Sequence, residues 1–271
     1  MSPVAPDRSG GDPGERGFAL LIVLWSLVLL AFLGSQMAAA GRGETQLSAN
    51  LRNGAVAEAA AEGAVHEALF HLLDSSNRHW RADGLPREIR FPNALVQLRI
   101  RSEAGKVNPN TASPELLQAL LHAVGADQRS AASIAAAITE WRFPDAQSRA
   151  SQYRAMGHGY GPPGAPFETI GELGLVLGMT PELLARLSPH LSLYHDGEAD
   201  PAAADPVVLQ AMRALGSVPP SAGVADEIVL AITAAAEGVN GTRFVRRAVV
   251  RLGGPDRGRP YRILTWESGA S

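Results

Sequence analysis

The N-terminal part of the chain contains, at residues 18–40, the run FALLIVLWSLVLLAFLGSQMAAA, in which 23 consecutive residues carry no charge. A helix rises about 1.5 Å per residue, so this run is long enough to cross a hydrocarbon core about 30 Å thick. A helix also satisfies its backbone hydrogen bonds internally, as the bilayer requires. We therefore predict a single transmembrane helix at residues 18–40.

Three interpretations of this run are open. A cleaved secretory signal would use the alanines at 38–40, but the run exceeds the usual apolar stretch of roughly 7–15 residues, and the segment before it has mixed charge. An uncleaved signal anchor is the second interpretation. The third is a prepilin-type leader at residues 1–17, rich in Gly, Pro and Asp and expected to be disordered, which is cut between Gly17 and Phe18.

The stretch after the apolar run, at residues 46–73, is dense in Ala, Glu and Leu. Apolar residues recur near helical spacing at Val56, Ala60, Val65 and Leu69. The pattern predicts that the membrane helix continues into an amphipathic half that lies against a sheet.

Two predicted hairpins supply that sheet. Residues 95–101 alternate apolar and polar, with 88–91 as the hairpin partner, and residues 242–251 and 260–267 form a second pair around a Gly-rich turn. We expect the second hairpin to complete an antiparallel sheet. Before it, the Ala-rich stretch 224–236 is predicted to be a helix.

An internal repeat marks the middle of the chain. Residues 108–120 align with 200–212, since each begins with Asn or Asp before Pro and has Ser113 or Asp205 before a second Pro; Thr180 precedes Pro in the same way. These are N-cap residues followed by proline in the first helical turn. The pattern predicts short helices, and glycines 125 and 178 stand where helix-ending turns are expected.

Composition describes an ordinary folded protein. Of its 271 residues 46% are hydrophobic, the formal net charge is −3, and there is no cysteine. Disulfides, thiolate metal sites and cysteine nucleophiles are therefore excluded. The weak net acidity also argues against a phosphate-binding surface as the main function.

No catalytic site is predicted. The histidines have no zincin spacing and stand in no nucleophile motif, and phosphate-binding and dinucleotide fingerprints are absent from the sequence. The seven histidines, each assigned a solvated or core position, are His66, His71, His79, His122, His158, His190 and His195.

Several motifs in order resemble those of the minor pseudopilin K family of type II secretion systems (general secretion pathway protein K). They are KVNPNTA at 106–112, EW at 140–141, PFETIGEL at 166–173, VLGMTP at 176–181 and PHLSLY at 189–194. With the Gly-Phe boundary at the start of the apolar run, the resemblance extends from Arg16 to about Met212.

The resemblance implies a fold and a division of the chain. The expected fold is α+β: a long pilin-like helix on a small antiparallel sheet, with an inserted helical domain similar to helix-hairpin-helix or SAM-like modules. The implied segments are a leader at 1–17, a transmembrane helix at 18–40, a pilin-like helix with the first strands at 41–104, the inserted domain at 105–215, and the C-terminal part of the pilin-like domain at 216–271.

The resemblance also implies a structural role without enzymatic activity. The protein would sit at the tip of a short periplasmic pseudopilus that exports folded proteins across the outer membrane. Its expected partners are minor pseudopilins I and J, through them H and the major pseudopilin G, and the prepilin peptidase. The N-terminus would be cytoplasmic, the helix in the bacterial inner membrane, and the body periplasmic.

One position departs from most pilins. The fifth residue of the processed chain is usually a glutamate, thought to pair with the terminal amine of a neighbouring subunit; here it is Ile22. Pseudopilin K is the family member that lacks this glutamate. A pseudopilin at the tip has no neighbour above it to pair with, and an unpaired charge is costly in lipid.

Calcium is bound by characterised members of the family, but we do not transfer the sites and expect no cofactor. Calcium requires about 6–8 oxygen ligands, whereas the loop at 142–154 offers Asp145 among three arginines. A second acidic turn contains the remaining weak candidates, which are Asp196, Glu198 and Asp200.

The alternative function is that of a membrane-anchored DNA-binding protein, because residues 108–138 resemble the helix-hairpin-helix of competence receptors. That motif binds phosphate through a Gly-rich hairpin, here at 124–127, and nearby lysines. Residues 102–195 contain six Lys or Arg and eight Asp or Glu, a net charge of −2, which does not favour nucleic acid.

Overall fold

The computed structural model of the chain describes residues 13–143, 150–216, 227–253 and 258–269. Most of the predicted leader, residues 1–12, lies outside these ranges. By its contacts the chain divides into two units, Met1–Ala55 and Val56–Ser271.

The first unit contains the start of helix α1, which spans Pro13–Leu73. Its large apolar side chains are exposed, and the hydroxyl of Ser26 donates to the carbonyl oxygen of Ile22 at 2.8 Å. Within the described residues no helix was found with the length and apolarity of a membrane span. The prediction of a wholly disordered leader is wrong for residues 13–17, because proline is favoured in the first turn of a helix.

The second unit is built on a five-stranded antiparallel sheet in which the strands follow chain order, β1-β2-β3-β4-β5. The strands are β1 (Arg87–Phe91), β2 (Ala94–Ser102), β3 (Glu227–Gly238), β4 (Arg243–Gly253) and β5 (Tyr261–Gly269). Both predicted hairpins are confirmed, as β1–β2 and β4–β5.

Strand β3 corrects the prediction of a helix at 224–236. Its alanines favour a helix, but it pairs with β2 on one side and β4 on the other, so both backbone edges are satisfied in the sheet. Residues 230, 232, 234 and 236 are buried in alternation, which is the period of a strand. Local propensity is overridden by this central position in the sheet.

The inner face of the sheet packs against the second half of α1. The helix contributes small buried side chains at Ala57, Ala61, Ala64 and Ala68, which pack in one cluster with β-strand residues such as Ile232. Small side chains let the helix axis come close to the sheet. The predicted amphipathic helix on an antiparallel sheet is confirmed, and the fold is α+β.

A set of short helices occupies the chain between β2 and β3. They are α2 (Pro114–Ala123), α3 (Gln128–Arg142), α4 (Ala150–Ala155), a 3₁₀ turn (Ile170–Leu175), α5 (Pro181–Leu187), a 3₁₀ turn (Ser188–His190) and α6 (Pro206–Ala214). Their apolar faces form a second core around Leu120, Ile138 and Leu173, which are fully buried.

All three predicted N-caps are confirmed. The side chains of Ser113, Thr180 and Asp205 accept hydrogen bonds from backbone N–H groups of α2, α5 and α6, and a proline follows each cap. A cap of this kind contributes about 1 kcal/mol. Glycines 125 and 178, predicted to stand in helix-ending turns, have positive φ angles of 99° and 85°.

The internal repeat is also a structural repeat. The side chain of Asn108 accepts from the N–H of Asn110 at 2.8 Å, and that of Asp200 accepts from Ala202 at 2.9 Å. Each turn leads after five residues into a capped helix, α2 or α6. The two halves of the repeat are thus equivalent turns that start neighbouring helices.

Candidate functional site

The segment directly after β2, at residues 103–110, joins the sheet to the helices, and we call it the junction. It begins with Glu103, whose side chain is only 2% exposed and binds the ammonium of Lys106 at 2.6 Å. A buried carboxylate needs a partner of this kind, because burial without one would cost several kcal/mol.

Backbone hydrogen bonds fix the start of the junction. The N–H of Glu103 donates to the carbonyl oxygen of Val229 at 2.9 Å, which extends the pairing between β2 and β3. The N–H of Asp200 donates to Ala104 at 2.7 Å. Between these bonds Gly105 passes so close to Ala203 that a Cβ placed on it would lie 2.1 Å from the Ala203 carbonyl oxygen.

The middle of the junction is bound to the segment at 190–195. Val107 donates its N–H to His190 at 2.9 Å and accepts from Ser192 at 3.1 Å, forming a short parallel bridge. Asn108, only 4% exposed, donates its amide to the carbonyl oxygen of His195 at 2.6 Å. These bonds tie the KVN motif to the PHLSLY motif, more than 80 residues later in the chain.

Asn110 closes the junction on its other side. Its side-chain oxygen accepts from the N–H of Phe167 at 2.8 Å, and its amide donates to the carbonyl oxygen of Phe167 at 2.9 Å. One side chain therefore satisfies both backbone groups of a residue that is 3% exposed. This pair of hydrogen bonds explains why an asparagine stands at position 110 of the motif.

Replacing Asn110 by aspartate is expected to destabilise the protein by about 2 kcal/mol, because the new oxygen faces the Phe167 carbonyl and leaves it without a donor. The measurement is urea unfolding followed by circular dichroism. Asn93→Asp, at the exposed turn between β1 and β2, makes the same change in charge and should cost little. Equal stabilities of the two variants would contradict the role of Asn110.

Aromatic rings pack behind Phe167. Its ring stacks on Trp141 at a centroid distance of 5.8 Å, and Tyr153 lies 6.3 Å from Trp141. The Tyr153 hydroxyl accepts from the N–H of Leu177 at 2.9 Å. The EW and PFETIGEL motifs therefore meet in one buried contact.

The second half of the repeat is linked to the segment at 190–195, which binds the junction, through a hydrogen bond between His190 and Asp205. His190 Nδ1 lies 2.6 Å from Oδ2 of Asp205, whose other oxygen caps α6. Burial by itself raises the pKa of Asp205, but the hydrogen bonds from His190 and from the N–H groups of Val208 and Val207 outweigh it, so the pKa is below its usual value. Asp205 is therefore a carboxylate at neutral pH.

Residues 93–196, which contain the whole junction, match the family model for the type II secretion system (T2SS), protein K. These residues belong to the protein K family. The predicted resemblance is thereby confirmed over this stretch.

A solved structure shares the fold. It is a chain of "The Crystal Structure of the GspK-GspI-GspJ complex from enterotoxigenic Escherichia coli Type 2 Secretion System", which superposes with a TM-score of 0.56 at 19% sequence identity. The match covers 85% of this chain and 99% of that chain. No curated protein sequence matched the chain.

The predicted processing residues lie in α1. Gly17 and Phe18 are within the helix, and Ile22, at position five of the predicted processed chain, is 52% exposed. No observation bears on cleavage between them, which stays a prediction.

The three described candidate metal ligands, Asp196, Glu198 and Asp200, do not form a metal-binding group among the described residues. Asp196 and Glu198 line a cavity with Asn108 and Ser113, whereas one carboxylate oxygen of Asp200 accepts from the N–H of Ala202. Asp145 lies outside the described residues. Within the described part of the chain no three His, Asp or Glu side chains are close enough to hold a metal ion. The expectation that the chain needs no calcium stays a prediction.

The hairpin between α2 and α3 has the connection expected of a helix-hairpin-helix. Its free N–H groups would be the phosphate ligands, but the carboxylate of Asp127 accepts from Arg129 and Ser130 at 3.0 and 3.1 Å. Hydrogen bonds from Ser130 lower the pKa of Asp127, so the cap is negatively charged. A carboxylate on the helix N-terminus competes with phosphate, and the DNA-binding alternative gains no support.

Sequence reasoning did not identify Gly105, Asn110 or Arg246 as important. The first two stand within or beside the KVNPNTA motif, so that motif was the available signal. Arg246 had none, since its partners Glu58 and Glu62 precede it by more than 180 residues.

Proposed function

We propose that this chain is the minor pseudopilin K of a type II secretion pseudopilus, with a structural role and no chemistry of its own. The observation that carries the proposal is the match of residues 93–196 to protein K, because these residues include the junction that organises the helical part of the fold. The long helix on an antiparallel sheet supplies the pilin-like half that such a pseudopilin needs.

The proposed location is the bacterial inner membrane, with residues 18–40 as the single span, the N-terminus in the cytoplasm and the body in the periplasm. The uncharged sequence of this run supports the proposal. So does the hydrogen bond from Ser26 to Ile22, since a hydroxyl in lipid needs a partner within its own helix.

The proposed place in the filament is the tip. Ile22 stands where other pilins have a glutamate that binds the amine of the next pilin, so this chain has no charge to offer a neighbour above it. An isoleucine costs nothing in lipid, whereas an unpaired carboxylate costs about 3 kcal/mol.

The proposed partners are pseudopilins I and J, and through them pseudopilin H and the major pseudopilin G. The similar solved chain comes from a complex of GspK, GspI and GspJ, and the shared fold supports the same association here. To test this, the full chain is co-expressed with pseudopilins I and J of its own bacterium and purified from detergent. A complex of all three proteins would support the proposed function. If deleting the gene left secretion unaffected, the proposed function would be wrong.

A prepilin peptidase is expected to cut the chain once, between Gly17 and Phe18, leaving the apolar helix in the membrane. Gly17→Val should abolish cleavage, because the peptidase of this class requires a small residue before the cut. Mass spectrometry of the purified protein checks both statements. A processed N-terminus at Gly41 would instead identify an ordinary secretory signal, and the pilin assignment of the leader would be wrong.

A further inference from the structure

The outer face of the sheet, opposite α1, has an unbalanced positive charge. Since Ile100, Ile232 and Ala248 are buried on the inner face, the neighbouring residues of each strand alternate to the outer face. Exposed arginines stand there at positions 99 and 101 of β2 and 247 of β4, and we call these three the outer arginine cluster.

The strand register places this cluster around a shallow floor. Arg99 pairs with Thr233, and Thr233 pairs with Arg247, so the two arginines flank the central strand in one row. Strands lie about 4.8 Å apart, which separates the two backbones by about 10 Å. The floor between them is made of short half-buried side chains, Thr233 and Ala235.

Three other arginines of this face have partners. Arg90 pairs with Glu88 at 2.9 Å, Arg243 with Glu237 at 3.9 Å, and Arg251 donates to the Tyr194 carbonyl oxygen at 3.5 Å. By contrast, among the described residues no carboxylate lies within 4.0 Å of any member of the cluster. Glu267 is opposite Arg247 in register but makes no ion pair with it.

We propose that the outer arginine cluster docks an acidic segment of a protein partner along the floor of β3. Charge complementarity requires carboxylates opposite three unpaired guanidinium groups, each of which can bind a carboxylate through two N–H groups. The spacing of about 10 Å matches the diameter of one helix.

The rim of the face favours a protein segment over a continuous anionic surface. Glu267 stands opposite Arg247 in register and would repel the phosphates of a lipid headgroup layer or of a nucleic acid. A protein segment can present a neutral or basic residue opposite this glutamate and acidic residues opposite the arginines. This inference does not depend on the proposed function.

The test measures binding of a labelled copolymer of L-glutamate and L-alanine, which has neutral residues among its carboxylates, to the full chain in detergent by fluorescence anisotropy. The double variant Arg99→Glu with Arg247→Glu is expected to bind at least about tenfold more weakly. If the first variant fails to fold, the neutral variant Arg99→Gln with Arg247→Gln replaces it. Its affinity should be about threefold lower than that of the wild type. The matched control is Arg129→Glu with Arg213→Glu, which makes the same change in charge at exposed positions of α3 and α6. Its affinity should stay within about twofold of the wild-type value.

Equal binding by wild type and both outer-face variants, or an equal loss in the control, would overturn the proposal. Inorganic polyphosphate and phosphatidylglycerol vesicles are the comparison probes. Tighter binding of either one, lost in the same outer-face variants, would identify a phosphate surface as the occupant and would equally overturn the protein partner.

Discussion

Replacing Gly105 by alanine is expected to lower the free energy of unfolding by about 3 kcal/mol or more. The added Cβ would lie 2.1 Å from the Ala203 oxygen, 2.2 Å from its carbonyl carbon and 2.5 Å from the nitrogen of Ala204. All three are backbone atoms, so no side-chain rotation relieves the overlap.

The surrounding bonds prevent a compensating shift. Asp200 is held to Ala104 by a 2.7 Å hydrogen bond, and the Asp205 cap fixes the chain after Ala203 at the start of α6. A shift of the backbone at Gly105 or at Ala203 would break these contacts, which link the junction to the second half of the repeat. The alanine variant therefore loses either the bonds or the packing, and both losses destabilise the protein.

Chemical denaturation of the two matched alanine variants measures this effect. Gly197→Ala is the control, since a Cβ there meets no atom within 4 Å, and its stability should be unchanged. If Gly105→Ala unfolds at the wild-type denaturant concentration, the close approach of the junction to Ala203 is not a feature of the protein.

Removing the carboxylates that pair with Arg246 is expected to cost more than removing the arginine. Arg246 is 8% exposed, and its Nη2 lies 2.7 Å from both Glu58 and Glu62 on α1. Its Nε is buried without a hydrogen-bond partner among the described residues. The double change Glu58→Gln with Glu62→Gln leaves a buried cation without a counter-charge, at a cost of about 3 kcal/mol.

The reverse change, Arg246→Met, leaves two glutamates that are 47% and 38% exposed, and water can solvate them. Methionine also keeps an apolar contact with the rings of Phe244 and Trp266, which the guanidinium now faces at 4.9 and 5.3 Å. Its expected cost is about 1 kcal/mol.

Urea unfolding of the two variants shows which of them is less stable. Glu67→Gln, on the same helix, removes a carboxylate that makes no ion pair with any arginine or lysine among the described residues, and it should have little effect. An arginine variant less stable than the double glutamine variant would show that the contacts of Arg246 with the rings, and not its charge, hold β4 against α1.

Local features were predictable from the sequence because they depend on neighbours a few residues away. The caps at Ser113, Thr180 and Asp205 each need only an oxygen within three residues of a backbone N–H, and the two hairpins need only alternation on either side of a turn. Each protein K motif is likewise a short run of neighbouring residues, so the motifs could be read from the sequence, and the family model matches the residues 93–196 that contain them.

The tertiary structure alone decided the rest, because the interacting groups are far apart in the chain. Residues 227–236 have helical composition, and only pairing on both sides by β2 and β4 makes them a strand. Asn110 meets Phe167 after 57 residues, and Arg246 meets Glu58 after 188. The hydrophobic patterns of strands and helices, which repeat every two or 3.6 residues, do not predict contacts between residues so far apart in the chain. A buried polar group is fixed by whatever backbone or charge the fold brings to it, since leaving it unpaired costs more than any local preference.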